Sequence, residues 1–282
     1  MWSNFHTHSK YCDGKGELTD YISKAKELHA LSLGFSSHAP LPFTNKWCMK
    51  PEQLNEYLSE VNSLKQHSAV EVYSGLEVDF IPGIISPADF KDKLDYTIGS
   101  IHFVDSLPDG TPWEIDGTQA FFQEGFERIF DHNIQDTLDR YFELTRDMVM
   151  ASEPTVVGHL DKIKIQNIDD ALFCETDTWY QQMVKKTVDE IARTGSIIEV
   201  NTRGIYQKKS ATPYPSPWVL EYIHQKKIPV TLNSDAHHPD DIVNQFTETA
   251  SLLKKIGFKT LSLLHEGQWK ALPFTEHGIV TR

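Results

Sequence analysis

The sequence predicts an α/β fold whose parallel strands close into a barrel, and three observations lead there. Apolar runs of β type alternate with amphipathic segments along all 282 residues. No Pro/Ser/Gly-rich linker or short repeat divides the chain, so residues 1–282 read as one domain. Histidines and carboxylates fall just after nearly every apolar run. Repeated strand–helix order implies crossover connections between parallel strands. A site built from the ends of many strands is the habit of closed α/β barrels.

In order along the chain, the apolar runs are Trp2–Phe5, Leu33–Ser36, Val70–Val78, Leu94–Ile101, Thr155–Val157, Ser196–Val200, Ile228–Leu232 and Thr260–Leu264. These are eight strand candidates, the last of them a candidate to lie outside the barrel. Leu18–Leu31 carries apolar residues at helical spacing. Pro51–Leu64 opens with Pro, which suits a first turn. Phe121–Val149 reads as two helices broken near Asp131–Asn133; the sequence leaves open packing on the barrel or a subunit contact, and the amphipathic pattern favours the barrel. Thr178–Ala192, Pro217–His224 and Asp240–Lys255 complete the helices. Phe103–Gly117, with Pro108, Gly110, Pro112 and Gly117, reads as a long loop over one end.

Composition removes several classes of function. Hydrophobic residues make up 39% of the chain, enough for a sizeable core and too many for a disordered chain. No apolar run reaches about 18 residues, so no membrane span is expected. No basic start followed by an apolar stretch marks a secretory signal. Three scattered cysteines argue for a reducing compartment, the cytoplasm, rather than a disulfide scaffold. A net charge of −13 opposes nucleic-acid binding. The sequence leaves oligomeric state open.

The chemistry concentrates in the thirteen histidines. In His6-Thr7-His8 the two imidazoles share one face of a strand end and can grip one metal ion. Asp235 and His237 share a face in the same way, and His238 points away. His38, Glu77, His102 and His159 each close a further apolar run. Any one of these has a structural explanation; their recurrence at successive strand ends points to a metal centre. Imidazole and carboxylate without clustered Cys suit Zn²⁺, Mn²⁺ or Fe²⁺. So many ligands suit two or three ions, with a carboxylate such as Glu77 bridging. Such a centre can make hydroxide from water and clamp a phosphoryl group.

The motifs are similar to those of the PHP (polymerase and histidinol phosphatase) superfamily. The resemblance runs through His6-Thr7-His8-Ser9-Lys10-Tyr11-Cys12-Asp13-Gly14, Ser37-His38-Ala39-Pro40 and Gly75-Leu76-Glu77-Val78-Asp79. It continues in Gly99-Ser100-Ile101-His102-Phe103, Gly158-His159-Leu160-Asp161 and Ser234-Asp235-Ala236-His237. His-Ala-Pro-Leu-Pro at 38–42, Glu199-Val200-Asn201-Thr202-Arg203-Gly204 and Tyr214-Pro215-Ser216 resemble the histidinol-phosphatase branch. The resemblance implies a distorted TIM-like (β/α)7 barrel and a trinuclear metal site. By that resemblance His6, His8, Glu77 and Asp235 hold one ion, and Glu77, His102 and His159 a second. His38, His237 and Asp13 hold the third. Asp13 also reads as a turn residue before Gly, in a loop flexible by composition, with Cys12 a competing ligand.

The resemblance further implies hydrolysis of L-histidinol phosphate, a step of histidine biosynthesis, by a metal-bridging hydroxide. The alternative is another small phosphate monoester or a nucleotide. Strand alternation from His159 places Asp161 where it could act as a catalytic group beside Glu77; it could equally be an Asp hydrogen-bonded near the metals. Arg203 is a candidate phosphate clamp, or else a surface residue in a loop with Lys208 and Lys209. Lys164 stands where the family often has a basic residue, and would bind substrate. Ser37 replaces an Asp common before the family's His, which could alter the support of His38. The segment Leu41–Trp47 could wall in an imidazole or cap the barrel.

Overall fold

The computed structural model describes residues 1–281. Its strands, in chain order, are β1 (Ser3–Asn4), β2 (Ser32–Phe35), β3 (Glu71–Asp79), β4 (Tyr96–Ser100), β5 (Phe103–Ser106), β6 (Pro112–Glu114), β7 (Val156–Val157), β8 (Ile197–Asn201), β9 (Val230–Asn233), β10 (Thr260–His265), β11 (Gln268–Thr275) and β12 (Gly278–Ile279). The helices are α1 (Leu18–Glu27), α2 (Leu54–His67), α3 (Gln119–Arg128), α4 (Ile134–Ser152), α5 (Thr178–Ile191), α6 (Arg203–Tyr206), α7 (Pro217–Gln225) and α8 (Phe246–Ile256).

Seven strands form one parallel sheet in the order β1-β2-β3-β4-β7-β8-β9. The sheet closes just beyond its outer strands. A parallel bridge joins Thr7 to Ala236, with His8 N donating to Ala236 O at 2.8 Å and Ala236 N to His6 O at 3.0 Å. The expected α/β barrel is therefore present, distorted because its closing pair is only a short bridge. β10 lies outside it, in an antiparallel sheet with β11 and β12. That sheet covers the N-terminal end of the barrel. Tyr96 fills the same end, its hydroxyl donating to Phe5 O at 2.6 Å, with Trp269 of β11 edge-on at 6.2 Å. Only glycine fits beside it: a Cβ at Gly34 or at Gly75 would lie 2.3 Å from a Tyr96 atom.

Both helices expected within Phe121–Val149 are present, and they part where predicted. Asp131 and His132 take positive φ, and Asn133 caps α4 by accepting from the amides of Gln135 and Asp136. The buried residues of α4 include Leu138, Tyr141, Phe142, Thr145, Met148 and Val149, at the spacing of one helical face. That face packs on the barrel core.

Three expectations need correction. Phe103–Gly117 is not merely a loop: β5 and β6 pair antiparallel with a bulge between Phe103 and Asp105. Their signal was hidden by turn residues within and around short strands, and Trp113 anchors the hairpin at 0% exposure. The helix expected at Asp240–Lys255 begins only at Phe246, because Gln245 is left-handed with φ 64°. The helix expected to reach Leu31 ends at Glu27, and His29 follows with φ 51°.

Candidate metal centre

The short barrel strands end where the chain must turn, and their last residues project into one space at the C-terminal end. His6 and His8 follow β1, His38 follows β2, Glu77 and Asp79 close β3, and His102 follows β4. His159 follows β7, Glu199 lies in β8, and Asp235 and His237 follow β9. Alternation sends His6 and His8 inward, while Thr7 turns out to donate to Gly34 O at 2.7 Å. His238 points away and is half exposed.

Glu77 is the hub. One oxygen, Oε1, accepts from Ser100 Oγ at 2.7 Å and lies 2.9 Å from His159 Nε2 and 3.6 Å from His102 Nε2. Oε2 lies 3.1 Å from His6 Nε2, 3.4 Å from His8 Nε2 and 3.0 Å from His38 Nδ1. Asp235 Oδ1 is 3.1 Å from His8 Nε2 and 3.4 Å from His237 Nδ1. Asp13 Oδ1 is 3.1 Å from His237 Nε2 and 3.9 Å from His38 Nε2.

Three sets of donor atoms are close enough to share an ion: His8, Asp13, His38 and His237; His6, His8 and Asp235; His38, Glu77 and His102. The grouping differs in part from the expected one. His8 and His38 each join two sets, and His159 stands beside Glu77 outside all three. The Asp13 loop is pinned rather than loose, with Lys15 N donating to His237 O at 2.8 Å and Cys12 N to Ser9 O at 2.9 Å. Cys12 Sγ lies 3.5 Å from His8 Nδ1.

These residues fit a metal cluster by a test internal to the structure. His6 Nε2, His8 Nε2, His38 Nδ1 and His159 Nδ1 are buried nitrogens without a hydrogen-bond partner. The first three come within ion-pair range of Glu77 but are too poorly aligned to be hydrogen bonds. Buried polar atoms are normally satisfied, so three orphans converging on one carboxylate mark a place for cations. The electrostatics agree. Burial opposes charge on Glu77, yet His38, His6 and His102 hold its carboxyl well below the usual range. Burial lowers His8, helped by His237 and His38, and lowers His38 to about 4. His6 goes the other way: burial alone would lower it, but Glu199, Asp235 and Glu77 raise it well above normal.

A second layer of groups fixes the imidazoles. His6 Nδ1 is 2.6 Å from Glu199 Oε1, and His102 Nδ1 is 3.0 Å from Asp79 Oδ1. Both contacts leave Nε2 facing the cluster, the usual device for orienting a metal-binding imidazole. Arg203 Nη1 donates to Asp235 O at 2.8 Å and lies 2.5 Å from His237 Nδ1. Ser37 bonds Ser9 Oγ at 3.0 Å and gives no support to the His38 ring.

Asp161 and Lys164 do not reach this space. Strand alternation fails after His159 because the chain turns into a 3₁₀ helix at Lys162–Gln166. Asp161 is fully buried against Lys164 Nζ at 3.0 Å and Ser216 N at 2.8 Å. Burial outweighs the Lys164 cation and raises its pKa. Lys164 also donates to Pro213 O at 3.1 Å and to Ser216 Oγ. Its ammonium is fully engaged, so neither the catalytic role for Asp161 nor the substrate contact for Lys164 follows. The cations that border the cavity are Lys162, Arg203 and Lys209; Lys162 Nζ lies 2.8 Å from Asp116 Oδ2 and 3.2 Å from His102 Nε2. Sequence reasoning passed over Lys162, Asp116 and Glu114, and gave Glu199 and Asp79 no role. For the last two a signal existed: each lies two residues from another inward-facing position.

The cluster opens into a cavity of about 210 Å³, walled by Trp47, Glu114, Asp116, Lys162, Arg203 and Tyr214. Of the Leu41–Trp47 segment, Leu41 and Phe43 join the hydrophobic packing while Trp47 borders this cavity. Residues 4–203 match the PHP domain. The chain belongs to the PHP domain family. Within its scope, a probable histidinol-phosphatase of Schizosaccharomyces pombe is 27% identical, over 93% of this chain and 89% of that protein. The histidinol-phosphatase of Bacillus subtilis is 26% identical, over 84% of this chain and 94% of that protein. Among solved structures, histidinol phosphate phosphatase from Lactococcus lactis, complexed with zinc, L-histidinol and phosphate, superposes with a TM-score of 0.67. It is 18% identical and covers 99% of each chain. At that identity the likeness speaks for the fold.

Proposed function

We propose that this PHP protein hydrolyses L-histidinol phosphate to L-histidinol and phosphate, a step of histidine biosynthesis, using two or three divalent ions (Zn²⁺, Mn²⁺ or Fe²⁺). The carrying observation is the convergence of orphaned imidazole nitrogens on Glu77, in a chain aligned nearly end to end with histidinol-phosphatases. In this reading His6, His8, Asp13, His38, Glu77, His102, His159, Asp235 and His237 hold the ions. Such ions, when bound, lower the pKa of water and neutralise phosphoryl charge.

The chain's own groups do the rest. Glu199 and Asp79 hold His6 and His102 in the tautomer that presents Nε2. Arg203 keeps Asp235 and His237 in register, and with Lys162 it lends positive charge to the cavity that receives the phosphate. Trp47 and Tyr214 wall the cavity. Among the described residues no helix is long and apolar enough to cross a membrane. The cysteines are unpaired there, which supports a reducing compartment such as the cytoplasm.

The test is a comparison of kcat/KM for L-histidinol phosphate with that for a panel of sugar phosphates, nucleotides and simple alkyl phosphates, using metal-loaded protein. A clear preference for L-histidinol phosphate is expected. Preference for another monoester or a nucleotide would move the protein to another phosphoesterase role on the same centre.

A further inference from the structure

The cavity has two walls of opposite character. The metal cluster, Lys162 and Arg203 form one. The other is the end of the β5–β6 hairpin, where Glu114 and Asp116 stand two residues apart. Asp116 is already matched, with Oδ2 2.8 Å from Lys162 Nζ. Glu114 is not. Its Oε2 accepts from Trp47 Nε1 at 3.0 Å, and among the described residues no cation pairs with it. It is half-buried and borders the cavity.

Trp47 ties this carboxylate to the reaction centre. Its ring lies edge-on to His38 at 4.5 Å and to His102 at 5.4 Å, and stacks on Phe103 at 5.6 Å. An unmatched carboxylate in a partly desolvated wall is costly without a cationic partner. With the phosphate at the cluster, this wall borders the space open to the organic part of a small ester.

We propose that Glu114, steadied by Trp47, is a specificity-determining residue that takes the cationic end of the substrate's alcohol, an ammonium or protonated imidazole. The inference rests on the reading above, since L-histidinol phosphate carries both groups and phenyl phosphate neither. Trp47 adds an aromatic surface that favours a cation beside it.

The experiment compares kcat/KM for L-histidinol phosphate and phenyl phosphate in the native protein, Glu114→Gln and Glu114→Asp. It also measures inhibition of phenyl phosphate hydrolysis by L-histidinol, which reads binding of the cation without the phosphate. Gln keeps an acceptor for Trp47 and removes only the charge. Glu114→Gln should lower the preference for L-histidinol phosphate roughly 10–100-fold and raise the inhibition constant in step. Glu114→Asp, which keeps the charge, should recover part of both. Native turnover of L-histidinol phosphate with the same preference in Glu114→Gln overturns the inference alone. Absence of that turnover in the native protein removes the functional reading, and this inference with it.

Discussion

Replacing Glu199 with Gln should strip metal from the centre without touching a residue of the cluster itself. Glu199 is fully buried and only accepts. Oε1 faces His6 Nδ1 at 2.6 Å and Asn233 Nδ2 at 3.0 Å. Oε2 faces His159 N at 2.8 Å and Asn201 Nδ2 at 3.1 Å. Gln has one oxygen, so its NH₂ must meet two of these donors. The asparagines cannot turn freely, because Asn233 Oδ1 accepts from Phe5 N and Asn201 Oδ1 from Arg203 N. If the NH₂ faces His6, the imidazole must move its proton to Nε2 and loses the lone pair a metal needs. If it faces His159, two donors are left opposed next to another member of the cluster. Loss of such an outer partner typically weakens metal binding about 10–100-fold. Each buried donor left unsatisfied costs about 1–3 kcal/mol, so with two donors opposed the metal-free protein should lose roughly 2–6 kcal/mol of stability. Metal competition with a chelator and thermal melts in excess chelator measure the two effects separately. Native metal affinity together with a native melting temperature would refute the assignment of Glu199 as the group that fixes His6.

Two further outcomes follow from the same contacts. Lys164→Met should destabilise the fold by about 3–5 kcal/mol in urea unfolding, because it removes the cation paired with the buried Asp161 carboxyl; KM should change little, and a large KM increase in a stably folded variant would return Lys164 to the substrate site. In metal-free protein, burial opposes charge on His102 but Asp79 raises its pKa to about 9, so the stabilisation from protonated His102 is complete below about 6.5 and is lost as pH rises through about 9, on the order of 3 kcal/mol. His6, raised by its carboxylate neighbours against burial, acts in the same direction. His8, His38 and His159 are lowered by burial and destabilise instead as pH falls below about 6.5. Ion binding needs unprotonated imidazoles, so the gap in melting temperature between loaded and chelated protein should widen from pH 6.5 to 9. A constant gap would contradict this linkage.

Period-2 reasoning served well where strand geometry persists and failed where it ends. His6 and His8 sit on chain that stays extended past the strand, so alternation placed them; Asp235 and His237 also reach the cluster, although Asp235 itself takes φ 53°. Beyond His159 the backbone turns at once into a 3₁₀ helix, and the same rule misplaced Asp161; Lys164, which only the family resemblance put forward, turns back onto Asp161. The barrel was legible because apolar runs and amphipathic helices alternate throughout. The β5–β6 hairpin was not, because Pro108, Gly110 and Pro112 read as loop and its pairing is tertiary. For the same reason Glu114 and Asp116 gave no sign of lying in the cavity. The pairing of His8 and His38 with more than one donor set likewise depends on how the strand ends converge.

The central claim is that the cluster around Glu77 is a metal centre for phosphate-ester hydrolysis. The most direct test is phosphate release from L-histidinol phosphate by chelator-stripped protein as Mn²⁺ or Zn²⁺ is titrated back, with His8→Ala alongside. Stripped protein should be inactive, native protein should regain turnover as the ions bind, and His8→Ala should not. Equal rates for stripped and loaded protein, or full activity in His8→Ala, would contradict the account.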